Sequence, residues 1–238
     1  MHQRFSGATL SYLRVLLFAS FTPLAIAQST DIFVTPIPNV PFSGIIDVQR
    51  SFVRPDGTVV NVKTIRQIAR DSRGRIHNEG RELVPVSSKK APKIGRIHLY
   101  DPQTRISTVI DPRHKTFWAT LVNHPPSTVP PGLLAASPVG DMLPANEFTK
   151  QEDLGMSDME GVSVHGVRQT QTVPADAAGT VEDVVVTDEY WYSEELRINM
   201  QIKHSDPRVG AVTMTVTQVS RTEPDPSLFE IPDGYKPR

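Results

Sequence analysis

Turn-forming sequences separate short alternating segments along much of this chain, and that punctuation leaves room for strands and hairpins but not for long helices. Pro55-Asp56-Gly57, Asp71-Ser72-Arg73-Gly74, Asp101-Pro102, Asp111-Pro112 and Asp206-Pro207-Arg208-Val209-Gly210 mark reversals. Between them the residues alternate with a period of two. Val212, Met214 and Val216 alternate with Thr213, Thr215 and Thr217, and Phe117, Ala119 and Leu121 oppose Trp118 and Thr120. Residues 43–53, 58–70 and 75–83 read as one meander, and 95–100, 105–110 and 115–122 as a second. After them come strands at 159–173, 181–192, 197–205 and 211–222. A helical turn is expected over 146–154, ended by Gly155. The fold class expected is mainly β: a strongly curled antiparallel sheet, or incomplete β-barrel, with a few short helices.

The N-terminus reads as an export leader. Arg4 and Arg14 flank an apolar run from Val15 to Phe21, and Ala25-Ile26-Ala27 offers the small residues that a signal peptidase accepts. That run is too short to span a bilayer, which takes about 20 apolar residues. The organisation expected is a signal peptide at 1–27, an extended arm at 28–42 and one β-rich half-barrel at 43–238, with a Pro-rich insertion at 123–145. Such a chain works in the periplasm or is secreted, with no transmembrane span after cleavage.

Composition and spacing leave little chemistry. With no Cys there is no thiol catalysis or thiolate metal site, and a net charge of −1 gives no footprint for nucleic acid. The seven His stand singly, without the His-x-x-x-His or His-Glu-x-x-His spacing of a metal site. No Gly-x-Ser-x-Gly motif and no Gly-rich phosphate loop occurs. Adjacent carboxylates such as Asp188-Glu189 point to opposite faces of a strand and read mostly as solvated charges. No catalytic residue, metal or cofactor is expected, and the chain does not read as an enzyme.

The aromatic residues say more. Trp118 beside Phe117, and the run Tyr190-Trp191-Tyr192, place flat apolar surfaces on strands, where they either fill a core or line a cavity. Arg50 stands in the apolar phase of the first strand with Ile46, Val48 and Phe52. It either snorkels to water or serves a buried partner. The ligand-binding candidates are therefore Trp118, Trp191, Tyr190, Arg50 and Phe117.

Several motifs carry a resemblance. Gly161-Val162-Ser163-Val164-His165-Gly166-Val167-Arg168, Glu189-Tyr190-Trp191-Tyr192-Ser193-Glu194-Glu195-Leu196 and Ser205-Asp206-Pro207-Arg208 stand ahead of the ending Phe229-Glu230-Ile231-Pro232-Asp233-Gly234-Tyr235. Together with the two Asp-Pro turns, they resemble a group of uncharacterised exported bacterial β-rich proteins. More remotely, the pattern is similar to periplasmic lipoprotein carriers of the Lol type and to related sigma-factor regulators. The resemblance implies a half-open barrel with an apolar cavity for a lipid or the acyl chain of a lipoprotein. The alternative it implies is an envelope sensor or scaffold whose partner is a membrane-bound regulator. The middle segment is richer in Pro than the helical lid of the carriers. Independently of family, the Pro-bounded Leu228, Phe229 and Ile231 are expected to plug one end of the barrel.

Overall fold

In the computed structural model, residues 31–123 and 146–238 are described; the leader and all but Asn123 of the Pro-rich insertion lie outside them. The first meander contains β1 (Phe42–Val53), β2 (Val59–Arg70), β3 (Ile76–Arg81), the two-residue β4 (Val84–Pro85), β5 (Ile94–Asp101), β6 (Ile106–Asp111) and β7 (Thr116–Leu121). The second contains β8 (Thr149–Met159), β9 (Val162–Val173), β10 (Val184–Ser193), β11 (Ile198–Asp206) and β12 (Gly210–Ser220), with a single helical turn α1 (Ala175–Ala178) between β9 and β10. A 3-10 turn (Pro226–Phe229) and a short β13 (Lys236–Pro237) finish the chain. All strands belong to one sheet, ordered β13-β7-β6-β5-β3-β2-β1-β12-β11-β10-β9-β8, with β4 on β2. The sheet is curled but open, because β8 and β13 end it without meeting. Among the described residues every pairing is antiparallel except β13 on β7.

The two Asp-Pro hairpins form for a local reason. The Asp101 carboxylate accepts the Gln103 N–H at 2.8 Å, and Asp111 accepts that of Arg113 at 3.0 Å. Each turn then needs one residue at positive φ to re-enter the ladder, supplied by Arg105 (58°) and Lys115 (51°).

β1 joins the two meanders and carries the core. Phe42, Ile46 and Val48 are buried on its inner face. Register extends that face sideways: Val48 pairs with Met214, Met214 with Ile202, Ile202 with Tyr190 and Tyr190 with Val167. All five are buried, each large side chain stabilising by about 1.5–3 kcal/mol. Buried residues of β3 and β5 (Ile76, Tyr100) and of β9 (Val162, Val164) join the same cluster, which requires the sheet to curl around it.

Three expectations are corrected. Residues 149–159 form an edge strand rather than a helical turn at 146–154. Pairing with β9 satisfies the backbone there, and Gly155 (φ 75°) sits at the register shift between Asp153 and Gly155 instead of ending a helix. The charges of Lys150, Glu152, Asp153 and Asp158 suit an exposed edge. The strand expected at 159–173 begins at Val162, after a tight turn at Glu160 and Gly161 with φ of 54° and 70°. The C-terminal residues do not plug a barrel end. The 3-10 turn docks on the outer face of the first meander, where Leu228 O lies 2.6 Å from His77 Nδ1 and Phe229 lies under Arg75. Ile231 stays 38% exposed.

Residues 31–37 form neither strand nor helix, and they pack into the trough. Ile32 (0% exposed) and Val34 lie within the core cluster. Arg70, whose register partner Ile76 faces inward, donates to Thr35 O and Val40 O at 2.8 Å each and to Leu196 O at 2.9 Å. Arg66 grips Asp31, and Thr35 Oγ1 donates to Arg197 O at 3.1 Å. The arm thus spans the trough from β2 to the β10–β11 turn.

Candidate functional site

The inner face of the curled sheet is the candidate site, and strand register decides which side chains reach it. Trp118 pairs with Val109, Val109 with His98, and His98 with Asn78, which pairs with the inward Ile68. Trp118 therefore faces the trough, half-buried, with the Arg96 guanidinium 5.8 Å from its ring. Tyr190 and Arg50 face the same side. Phe117, one residue from Trp118, pairs with Ile110 on the outer face.

Trp191 pairs with Gly166 and Gln201 on the face opposite Tyr190, and its half-buried ring also packs against the edge of the core cluster. A Cβ at Gly166 would stand 2.6 Å from the indole, so the missing side chain is what seats the ring. Its Nε1 donates to Glu189 at 2.8 Å, and Glu189 also accepts from Lys203 (2.7 Å) and Arg168 (2.8 Å). Asp188 and Glu189 are both buried, contrary to the reading of solvated charges. Burial alone raises the Glu189 carboxyl, but its three donors outweigh that and bring it down to about 2. A depressed pKa gives stability that is complete above the ordinary value of 4.5 and disappears as pH falls toward 2, about 3 kcal/mol in all. Glu189→Gln is expected to lower stability by about 2 kcal/mol at pH 7 and to cost little near pH 2. Urea midpoints across that range check it. An equal loss at both ends would remove the charge from the explanation.

Among the described residues, clefts open on the inner face at two places. One, about 250 Å³, lies between the arm and β3, β5 and β6. Phe33, Val34, Ile76 and Val122 give it apolar walls, and Asn78, His98 and Ser107 give it polar points. His98 Nε2 lies 2.8 Å from Ser107 Oγ, and burial lowers the His98 pKa, which favours the neutral ring. Tyr100 Oη and Arg66 Nε, beside the arm, are buried without a hydrogen-bond partner among the described residues. Such orphans are uncommon in a core. The arm therefore fills the trough without satisfying all of it.

The second cleft, about 200 Å³, opens near the β1–β2 and β11–β12 turns. Arg50, Phe52, His204, Val209 and Val212 line it. His204 Nδ1 lies 2.7 Å from the carboxylate of Asp188, which is 3% exposed. That hydrogen bond is the main cause of a raised His204 pKa. His204 and Asp188 were not among the sequence candidates. The only signal was their even phase with Ile202 and Tyr190, and it acquires meaning once β10 and β11 are in register. Among the described residues, no three His, Asp or Glu side chains gather as a metal site, and no helix is long and apolar enough to cross a membrane.

No protein-family model matches the sequence, and no curated protein matches it. Among solved structures the chain is similar to one in the Pseudomonas aeruginosa MucA/MucB complex, at 10% identity and a TM-score of 0.39 over 80% of this chain and 55% of that one. A LolA superfamily protein from Nitrosomonas europaea is similar at 12% identity and a TM-score of 0.31, covering 82% of this chain and 92% of its own. LprF from Mycobacterium bovis follows at 11% identity and a TM-score of 0.31, covering 79% and 90%. The chain thus spans little more than half the length of the MucB structure it matches, and nearly all of the two smaller ones.

Proposed function

We propose that this chain is a non-catalytic exported binding protein that holds a lipid-like or acylated ligand along the inner face of its curled sheet. The observation that carries the reading is the seat of the arm: a single narrow strip of chain lies in the trough with Ile32 fully buried and Val34 nearly so. An acyl chain has a similar thin apolar cross-section, and each methylene it buries contributes about 0.8 kcal/mol. The unpartnered Tyr100 Oη and Arg66 Nε support an occupant other than the arm. In this reading Trp118, Tyr190 and Arg50 line the ligand's path, while Phe117 lies on the outer face and Trp191 packs against the edge of the core. The expected location is the periplasm or beyond, as the leader-like start suggests.

Delipidated protein should therefore melt higher with saturated fatty acids or lipopeptides. At a hundredfold excess over Kd the gain is about 2.7 kcal/mol, or roughly 5–10 °C for a chain of this size. A melting point unmoved from C8 to C18 would overturn the proposal.

A further inference from the structure

One row of the inner face departs from the apolar pattern. Beside the row Val48, Met214, Ile202, Tyr190 runs its neighbour toward the turns: Arg50 pairs with Val212, Val212 with His204, His204 with Asp188, and Asp188 with Gln169. Adjacent rows on one face lie about 6.6 Å apart, two residues along a strand. Fully apolar and strongly polar surface therefore meet within the width of a single ligand.

The carboxylates of this row and of the next one toward the turns already have partners. Asp188 is engaged by His204 at 2.7 Å, and Asp206 by Arg208 at 2.7 Å. Arg50 makes no hydrogen bond or ion pair among the described residues. Its guanidinium carbon lies 5.6 Å from the centroid of the Phe52 ring, and both side chains line the cleft. A half-buried guanidinium without a counter-charge is costly, and its fork of donors matches an oxyanion. His204 opens onto the same cleft, oriented from behind by buried Asp188. The cleft of about 200 Å³ is large enough for a carboxylate or phosphate group and a few carbons beyond it.

We propose that Arg50 and His204 form an anion subsite that takes the carboxylate or phosphate head of a single-chain amphiphile and leads its tail inward toward Val48 and Met214. The proposal rests on the lipid-binding reading for the tail and adds the chemistry of the head. Arg50 supplies the fixed charge. His204 is a second donor whose imidazolium Asp188 favours; Asp206 supports that form and Arg50 opposes it. Because a raised pKa means that the positive charge is gained as pH falls, affinity for the anion should rise from pH 8 to pH 6.

The test uses delipidated protein and a saturated C14 carboxylate, its methyl ester, inorganic phosphate and acetate, measured by calorimetry on wild type, Arg50→Gln, Arg50→Lys and His204→Gln. Arg50→Gln should weaken the carboxylate about ten- to a hundredfold and the ester less than twofold. Arg50→Lys should recover part of the loss. His204→Gln should flatten the rise between pH 8 and 6, and thermal melts of each variant establish that it is folded. Equal losses for carboxylate and ester, or none for either, would overturn the subsite while leaving the lipid-binding reading in place. Phosphate or acetate binding as tightly as the C14 carboxylate would confine the site to free anions and overturn the assignment of the tail. If no C14 compound binds but phosphate does, and Arg50→Gln abolishes it, the lipid reading fails and the anion site stands. Silence from all four ligands would overturn both.

Discussion

Arg70→Met is expected to destabilise the protein by about 3–5 kcal/mol and to release the arm from the trough. Arg70 is fully buried, and its three hydrogen bonds tie together segments distant in sequence: Thr35 and Val40 of the arm, and Leu196 at the β10–β11 turn. Its guanidinium lies 4.9 Å from the Phe42 ring. Burial brings its pKa down to about 10, so it remains charged at neutral pH. Methionine nearly matches the apolar stem and supplies no donor, which leaves three carbonyls without the partner that now serves them. Urea unfolding gives the global loss. Hydrogen exchange at residues 32–40 reports the arm itself, and protection there should fall more than in β1 or β12. A loss below about 1 kcal/mol with arm protection unchanged would mean that apolar contact through Ile32 and Val34 alone seats the arm.

The second large effect is expected at Gly210, in the turn that borders the proposed anion subsite. Its φ is 122°, and a Cβ would stand 2.1 Å from Ser51 O and 2.8 Å from the carbonyl carbon. Those atoms belong to β1 backbone, paired in register with β12, so they cannot move without breaking the ladder that joins the two meanders. Gly210→Ala should cost about 4 kcal/mol or more, among the larger values seen for one substitution. Gly57 provides the control. Its φ is also positive, at 80°, but nothing lies within 4 Å of the Cβ position. Gly57→Ala should therefore show the conformational penalty alone, about 1–2 kcal/mol. Urea midpoints of the two variants separate overlap from backbone preference. Similar losses at both positions would mean that the β1–β12 seam is softer than its geometry suggests.

Both substitutions act at joints between segments far apart in sequence, and these are also where sequence reading stopped. The meanders were legible because each hairpin depends on neighbours: Asp101 and Asp111 fold back on the next N–H groups, and alternation assigns faces within a strand. The opposition of Phe117 to Trp118 followed from alternation alone. Which of those two faces is the trough did not, since it depends on pairing through β6 and β5 to β3. Residues 146–154 fit a helical turn locally, with Gly155 to end it, and only β9 alongside makes β8 an edge strand with a bulge.

The sequence by itself determined where the chain turns, which residues share a face of each strand, and that Arg50 interrupts an apolar phase. These follow from φ/ψ preferences and two-residue alternation, which act over a few peptide units. Tertiary structure alone decided that residues 31–38 occupy the trough, and that Arg50 and His204 meet 154 positions apart while Asp188 backs the histidine from the next strand. Those contacts depend on the register of β1, β10, β11 and β12. That register is fixed by burying a whole face at once, so no short stretch of sequence contains it.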